Sequence, residues 1–164
     1  MDKPRRALIP GSFDPITKGH EALVFAASAL FDEVVLALFI NPEKHYIFTE
    51  EERLSMLKAV AAEYPNVTVA HSDGMVVDFV RREGISCIFK GIRNEKDLAY
   101  ETEMAEYNLQ NGGAPTLFLP AEKEMTEISS TAVREQLLKG ILPQALVPEA
   151  ILPVLAKKMG TFTK

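Results

Sequence analysis

Short apolar runs alternate with longer amphipathic ones along the whole chain of 164 residues. That alternation predicts an α/β fold: a single Rossmann-like domain over residues 1–164, with a five-stranded parallel sheet and helices on both faces. Two further observations support it. Val34 to Ile40 is almost wholly apolar and opens with β-branched residues, as suits a strand buried on both faces. Between the apolar runs lie segments with helical punctuation, such as Thr49-Glu50-Glu51-Glu52, a threonine cap with a glutamate three residues on.

The elements follow in order. Ala7 to Ile9 is the first strand, ended by Pro10-Gly11. Residues 19–31 form a helix whose Leu23, Ala26, Ala27, Leu30 and Phe31 share one apolar face. Val34 to Ile40 is strand two, and the helix opened at Thr49 ends near Tyr64, before Pro65. Val67 to Ala70 is strand three, followed by a helix from Met75 to Glu83 with Gly84 as its stop. Ile85 to Phe89 is strand four. Asn94 caps a long helix through about Asn108. Pro115 to Leu119 is strand five, Ser129 and Ser130 open a helix that stops at Gly140, and a last helix covers Pro148 to Met159.

Composition narrows the function. Lys and Arg number 18 against 23 Asp and Glu, giving a net charge of −5. That sign argues against coating nucleic acid or an anionic membrane, but leaves room for a small anionic substrate held by a local cluster of cations. The one cysteine, Cys87, cannot form an internal disulfide, and it lies in an apolar strand, so it reads as core. No apolar stretch approaches the ~20 residues of a membrane span, and the basic N-terminus is followed by too short an apolar run for a signal peptide. A cytoplasmic location is expected.

In a parallel sheet of this kind ligands bind beyond the carboxyl ends of the strands, at the switch point of strand order. The segments there are informative. After strand one come Gly11, Ser12 and Phe13, then Thr17-Lys18-Gly19-His20 at a helix start, where orphan amides favour an anion. The same residues would also suit a tight strand–helix turn with a capping histidine. After strand two comes Lys44, a point charge within reach of a phosphate. After strand four, Lys90-Gly91-Ile92-Arg93 places two cations around a glycine before a helix. After strand five, Met125-Thr126-Glu127-Ile128 leads into Ser129, Ser130 and Thr131, three hydroxyls where capping alone needs one. Together these imply a nucleotide or polyphosphate site.

The same residues carry a family resemblance. Thr17-Lys18-Gly19-His20 is similar to the (H/T)xGH motif of the nucleotidylyltransferase superfamily. Lys90 to Arg93, with Asp97, Tyr100, Glu101, Met104, Ala105 and Asn108, resembles a sequence block of the phosphopantetheine adenylyltransferases, and Ile128 to Thr131 resembles that family's ISSS. The resemblance implies a single nucleotidyltransferase domain that transfers the adenylyl group of ATP to 4′-phosphopantetheine, giving dephospho-coenzyme A and pyrophosphate. It implies catalysis by His20, which also contacts ATP, contacts to both substrates from the loop of Ser12 and Phe13, and acceptor-side contacts from Lys44, Val76 and Lys90. It places Gly91, Ile92, Arg93, Glu101 and the segment Met125 to Thr131 on the ATP side. It further implies Mg²⁺ accompanying ATP, coenzyme A as a feedback ligand, and a homohexamer.

Two departures stand out. Met125 occupies a place where an aromatic is common, and Thr131 replaces the last serine. The resulting Ile128-Ser129-Ser130-Thr131, completed by Arg134, also occurs in nicotinate mononucleotide adenylyltransferases, the nearest alternative. Against that alternative stand Thr17, where those enzymes usually keep a histidine, and the block from Lys90 to Asn108. A non-catalytic nucleotide sensor on the same sheet is the alternative from another class.

Overall fold

In the computed structural model, residues 3–162 are described. Five strands, β1 (Arg6–Gly11), β2 (Glu33–Phe39), β3 (Val67–Ser72), β4 (Cys87–Ile92) and β5 (Thr116–Pro120), form one sheet. The order is β3-β2-β1-β4-β5, and every neighbouring pair is parallel. The order reverses between β1 and β4, so the ligand edge lies above those two strands.

Successive β1 side chains divide between two cores. Ala7 and Ile9 join a large core with α1 (Lys18–Leu30), α2 (Glu50–Ala61), α5 (Ser130–Leu138) and α6 (Leu152–Phe162). Leu8 joins a smaller core on the other face, built on Phe79 and Val80 of α3 (Val76–Glu83) with Ile85, Ile88 and Ala114. That second face is only thinly covered by α4 (Glu95–Gln110), in which Asn108 is the one buried residue. A cleft remains between α4 and the sheet.

Local chemistry sets the ends of the helices. Thr49 and Glu52 exchange the two hydrogen bonds of a capping box, Asn94 caps α4, and Gly84 ends α3 in the left-handed conformation at φ 64°. Several expected boundaries shift by a few residues: β1 takes in Pro10 and Gly11, β3 runs on to Ser72, β4 begins at Cys87, α2 ends at Ala61 and α4 runs to Gln110, and two further shifts stand out. The last helix is preceded by a short 3₁₀ turn, Glu149–Ile151, because Pro148 sets the entry. β4 runs on through Ile92, so Lys90, Gly91 and Ile92 belong to the strand and not to the loop after it. They pair with Phe118, Leu119 and Pro120 of β5, which holds them extended.

Candidate active site

The segment from Gly11 to His20 is fixed from beneath by side chains distant in sequence. A Cβ on Gly11 would lie 2.9 Å from the Phe13 ring, so this glycine is required by the close approach of a buried aromatic. Phe13 itself sits at φ 46°. The Ser12 carbonyl accepts a hydrogen bond from Arg53 Nη1 at 3.0 Å. The buried Asp14 carboxylate accepts the backbone N–H groups of Ile47 and Phe48 at 3.0 and 2.9 Å. Asp14 thereby ties the loop bearing Lys44 to the loop after β1. Arg134 donates to the Asp14 carbonyl at 2.8 Å, and Ser130 donates to the Pro15 carbonyl at 2.8 Å, which fastens the start of α5 to the same segment.

His20 is the third residue of α1 and forms a capping box with Thr17. The Thr17 backbone N–H donates to His20 Nδ1 at 3.0 Å. A backbone amide only donates, so Nδ1 must be an acceptor, and the neutral ring carries its proton on Nε2. The pKa of His20 is pushed down to about 4, first by burial and then by the positive charges of Lys90 and Arg93. At neutral pH His20 is therefore an uncharged donor through Nε2. The capping role and a catalytic role coexist: capping occupies one nitrogen and leaves the other N–H free to act. The Phe13 ring packs edge-to-face on the imidazole, with centroids 5.0 Å apart.

A cavity of about 180 Å³ opens between α4 and the strand ends. Ser12, Val76, Lys90 and Glu101, all expected site residues, line it. Lys90 Nζ lies 3.2 Å from the Glu101 carboxylate. Glu101, which the resemblance puts on the ATP side, is thus in one cavity with the acceptor-side Lys90 and Val76. Phe39, Met104 and Asn108 also line it and are not among the expected contacts. A helical period would have found two of them, since Glu101, Met104 and Asn108 recur at i, i+3 and i+7.

The remaining expected residues are placed as follows. Arg93 pairs with Asp97 at 2.9 Å at the start of α4, while Gly91 is exposed and Ile92 half-buried. Lys44 is exposed in the turn after β2 and is not part of the cavity wall. Met125, Thr126, Glu127 and Ile128 form a 3₁₀ turn and its exit, with Thr126 donating to the Lys123 carbonyl. The three hydroxyls have separate structural tasks. Ser129 caps α5 through the Ala132 N–H, Ser130 gives its proton to Pro15, and Thr131 Oγ1 accepts from Arg134 at 3.1 Å. Each of the three hydroxyls thus has a partner within the protein, with Ser129 and Thr131 accepting and Ser130 donating. Among the described residues, no group of three or more His, Cys, Asp or Glu is arranged to hold a metal ion.

Comparison with known proteins decides the family. The cytidylyltransferase-like family model matches residues 8–136. The chain is 44% identical over 144 residues to the phosphopantetheine adenylyltransferase of Symbiobacterium thermophilum, covering 87% of this chain and 89% of the relative. It is 41% identical to that of Streptomyces coelicolor, covering 94% and 98%.

The chain belongs to the phosphopantetheine adenylyltransferase family.

Solved structures extend the likeness of fold beyond that family. A bifunctional NMN adenylyltransferase/ADP ribose pyrophosphatase from Francisella tularensis superposes with a TM-score of 0.70 at 13% identity, over 98% of this chain and 52% of that one. A lipopolysaccharide core biosynthesis protein from Thermoplasma volcanium gives 0.54 at 23% identity, over 74% of this chain and 98% of that one. At such identities only the sheet and its helices are shared. Among the described residues no helix is long and apolar enough to cross a membrane.

Proposed function

We infer that this chain transfers the adenylyl group of ATP to 4′-phosphopantetheine, releasing pyrophosphate and forming dephospho-coenzyme A. The family carries the reaction. The observation that supports the site assignment is the coupling of cavity and histidine. Lys90 lines the cavity and also lies near enough to His20 to depress its basicity. An acceptor phosphate drawn to Lys90 therefore comes within the electrostatic range of the His20 ring.

The chemistry requires little acid–base work. A phosphate monoester has a second pKa of about 6 and is already an anionic nucleophile at pH 7. Its oxygen attacks the α-phosphorus of ATP while the bond to the β-phosphate oxygen breaks, and pyrophosphate leaves. The barrier is the approach of two anions and the charge that gathers on the α-phosphate oxygens. A neutral imidazole suits that task, since it donates through Nε2–H without losing a proton. Lys44, Lys90 and Arg93 supply positive charge on either side. Phe39, Val76 and Met104 offer an apolar wall for the pantetheine arm, with Asn108 and Glu101 as polar partners.

ATP would enter as its Mg²⁺ chelate, with the ion neutralising phosphate charge and no residue of this chain named as its ligand. Coenzyme A contains the same pantetheine arm, which supports its binding as a feedback ligand in the same cavity. Exposed Leu98 and Leu109 on α4 and Leu117 on the edge strand support assembly, and the family resemblance is what supports a homohexamer. A single buried cysteine supports a reducing, cytoplasmic setting. The reaction is tested by offering Mg²⁺-ATP with 4′-phosphopantetheine or with nicotinate mononucleotide and measuring pyrophosphate. Release with the first alone is expected. Release with the second alone would make this a nicotinate mononucleotide enzyme, and release with neither would leave a nucleotide-binding protein.

A further inference from the structure

Arg53 is a charged side chain in the wrong place for an ordinary surface helix. It follows Glu50, Glu51 and Glu52 in the first turn of α2, yet it is only 2% exposed. Among the described residues no carboxylate stands within ion-pair distance of it. Its Nε is buried without a hydrogen-bond partner. Burying a cation without a counter-ion is costly, so its retention calls for a compensating task.

Its contacts name the task. Nη1 donates to the Ser12 carbonyl at 3.0 Å, and the guanidinium lies 3.8 Å from the centroid of the Tyr46 ring. Tyr46 in turn accepts the Asn41 backbone N–H on its hydroxyl at 3.0 Å, at the base of the turn that carries Lys44. Arg53 therefore bridges the loops after β1 and β2 from inside the protein. The peptide plane does the rest. In a trans peptide the C=O of one residue and the N–H of the next point in opposite directions. With the Ser12 carbonyl drawn inward to Arg53, the Phe13 N–H is turned outward, away from α2. The positive φ of Phe13 is held in the same arrangement.

We propose that Arg53 is a positioning residue for adenylyl transfer: by fixing the Ser12–Phe13 peptide it aims the Phe13 amide at the α-phosphate, beside the His20 donor. The proposal rests on the adenylyltransferase reading above. Arg53 touches no substrate. It sets the direction of a donor whose benefit appears when charge develops in the transition state, so its loss acts on kcat more than on KM.

The test compares the wild type with Arg53→Met and Arg53→Lys by steady-state kinetics and thermal melting. Arg53→Met is expected to melt cooperatively and to lose at least tenfold in kcat, with both KM values changed less than threefold. Arg53→Lys, which restores a donor to the Ser12 carbonyl, is expected to recover part of that loss. A cooperatively melting Arg53→Met with near-normal kcat would overturn the proposal. A second measurement needs no variant. Adding α,β-methylene ATP to the wild-type protein is expected to move the Phe13 amide proton downfield, and an unchanged resonance would overturn the proposal even where Arg53→Met does not fold. Absence of dephospho-coenzyme A formation by the wild type would instead overturn the reaction on which the proposal rests.

Discussion

The loop after β1 and the helix after β4 both face the ligand edge, but they are held in different ways. The loop is anchored from the core. Asp14, Arg53, Arg134 and Ser130, drawn from three separate parts of the chain, grip its backbone or its neighbours. Helix α4 rests on one buried residue, Asn108, and on the ion pairs Lys90–Glu101 and Arg93–Asp97. The contrast separates two tasks. Charge stabilisation in a transition state needs donors fixed before the substrate arrives, because reorganising them during reaction would cost rate. Holding a flexible acceptor arm tolerates a wall that adapts. Substitutions in the two regions should therefore fail differently, the first in turnover or stability, the second in substrate affinity.

The largest effect is expected at the anchored donor. His20→Ala should lower kcat by roughly 10²–10³ with little change in KM, as for loss of one oxyanion-type donor. The same variant should lose only about 1 kcal/mol of stability from the cap. Near-normal turnover with a lowered Tm would reduce His20 to a capping residue. Next comes Asp14→Ala, which strands two backbone N–H groups and should cost about 3 kcal/mol, read as a fall in Tm of about 6–12 °C. A Tm within 2 °C of wild type would show that the loop is not held from below.

Arg93→Ala on the other region should raise the KM for ATP about tenfold while moving Tm by less than about 4 °C, since an exposed ion pair contributes at most about 1 kcal/mol. A large loss of stability there would erase the contrast. The last effect is the pH dependence of stability. Because the folded pKa of His20 is depressed to about 4, the unfolded chain binds more protons between that value and about 6.5. The His20 contribution to stability is complete above about pH 6.5 and is lost as pH falls toward 4. Chemical denaturation at pH 7 and pH 5 should show this decline in the wild type, and a smaller one in His20→Gln.

Most of the fold could be read from the sequence, because strands buried on both faces leave continuous apolar runs and the helix caps at Thr49, Asn94 and Gly84 are local chemistry. What could not be read is long-range. Whether β4 ends at Phe89 or at Ile92 depends on pairing with β5, some thirty residues on. The site divides in the same way. Ser12, Phe13, His20 and Lys90 sit in a recognisable order at strand ends. Asp14 and Arg53 carry no local signal of their tasks, since nothing in the neighbouring sequence reveals burial against partners 33 to 41 positions away. Ser129, Ser130 and Thr131 were legible as a cluster, yet only the structure shows that the Ser130 proton is already given to Pro15.

The central claim is that the anchored region presents His20 as a neutral imidazole with its proton on Nε2, set by the Thr17 amide before any substrate binds. Nitrogen-15 NMR of the histidine ring across pH 4–8, on the ligand-free protein, tests this most directly. The account requires an unprotonated Nδ1, a protonated Nε2 and a titration midpoint near 4. A midpoint near 6.5, or a proton on Nδ1 at neutral pH, would contradict it.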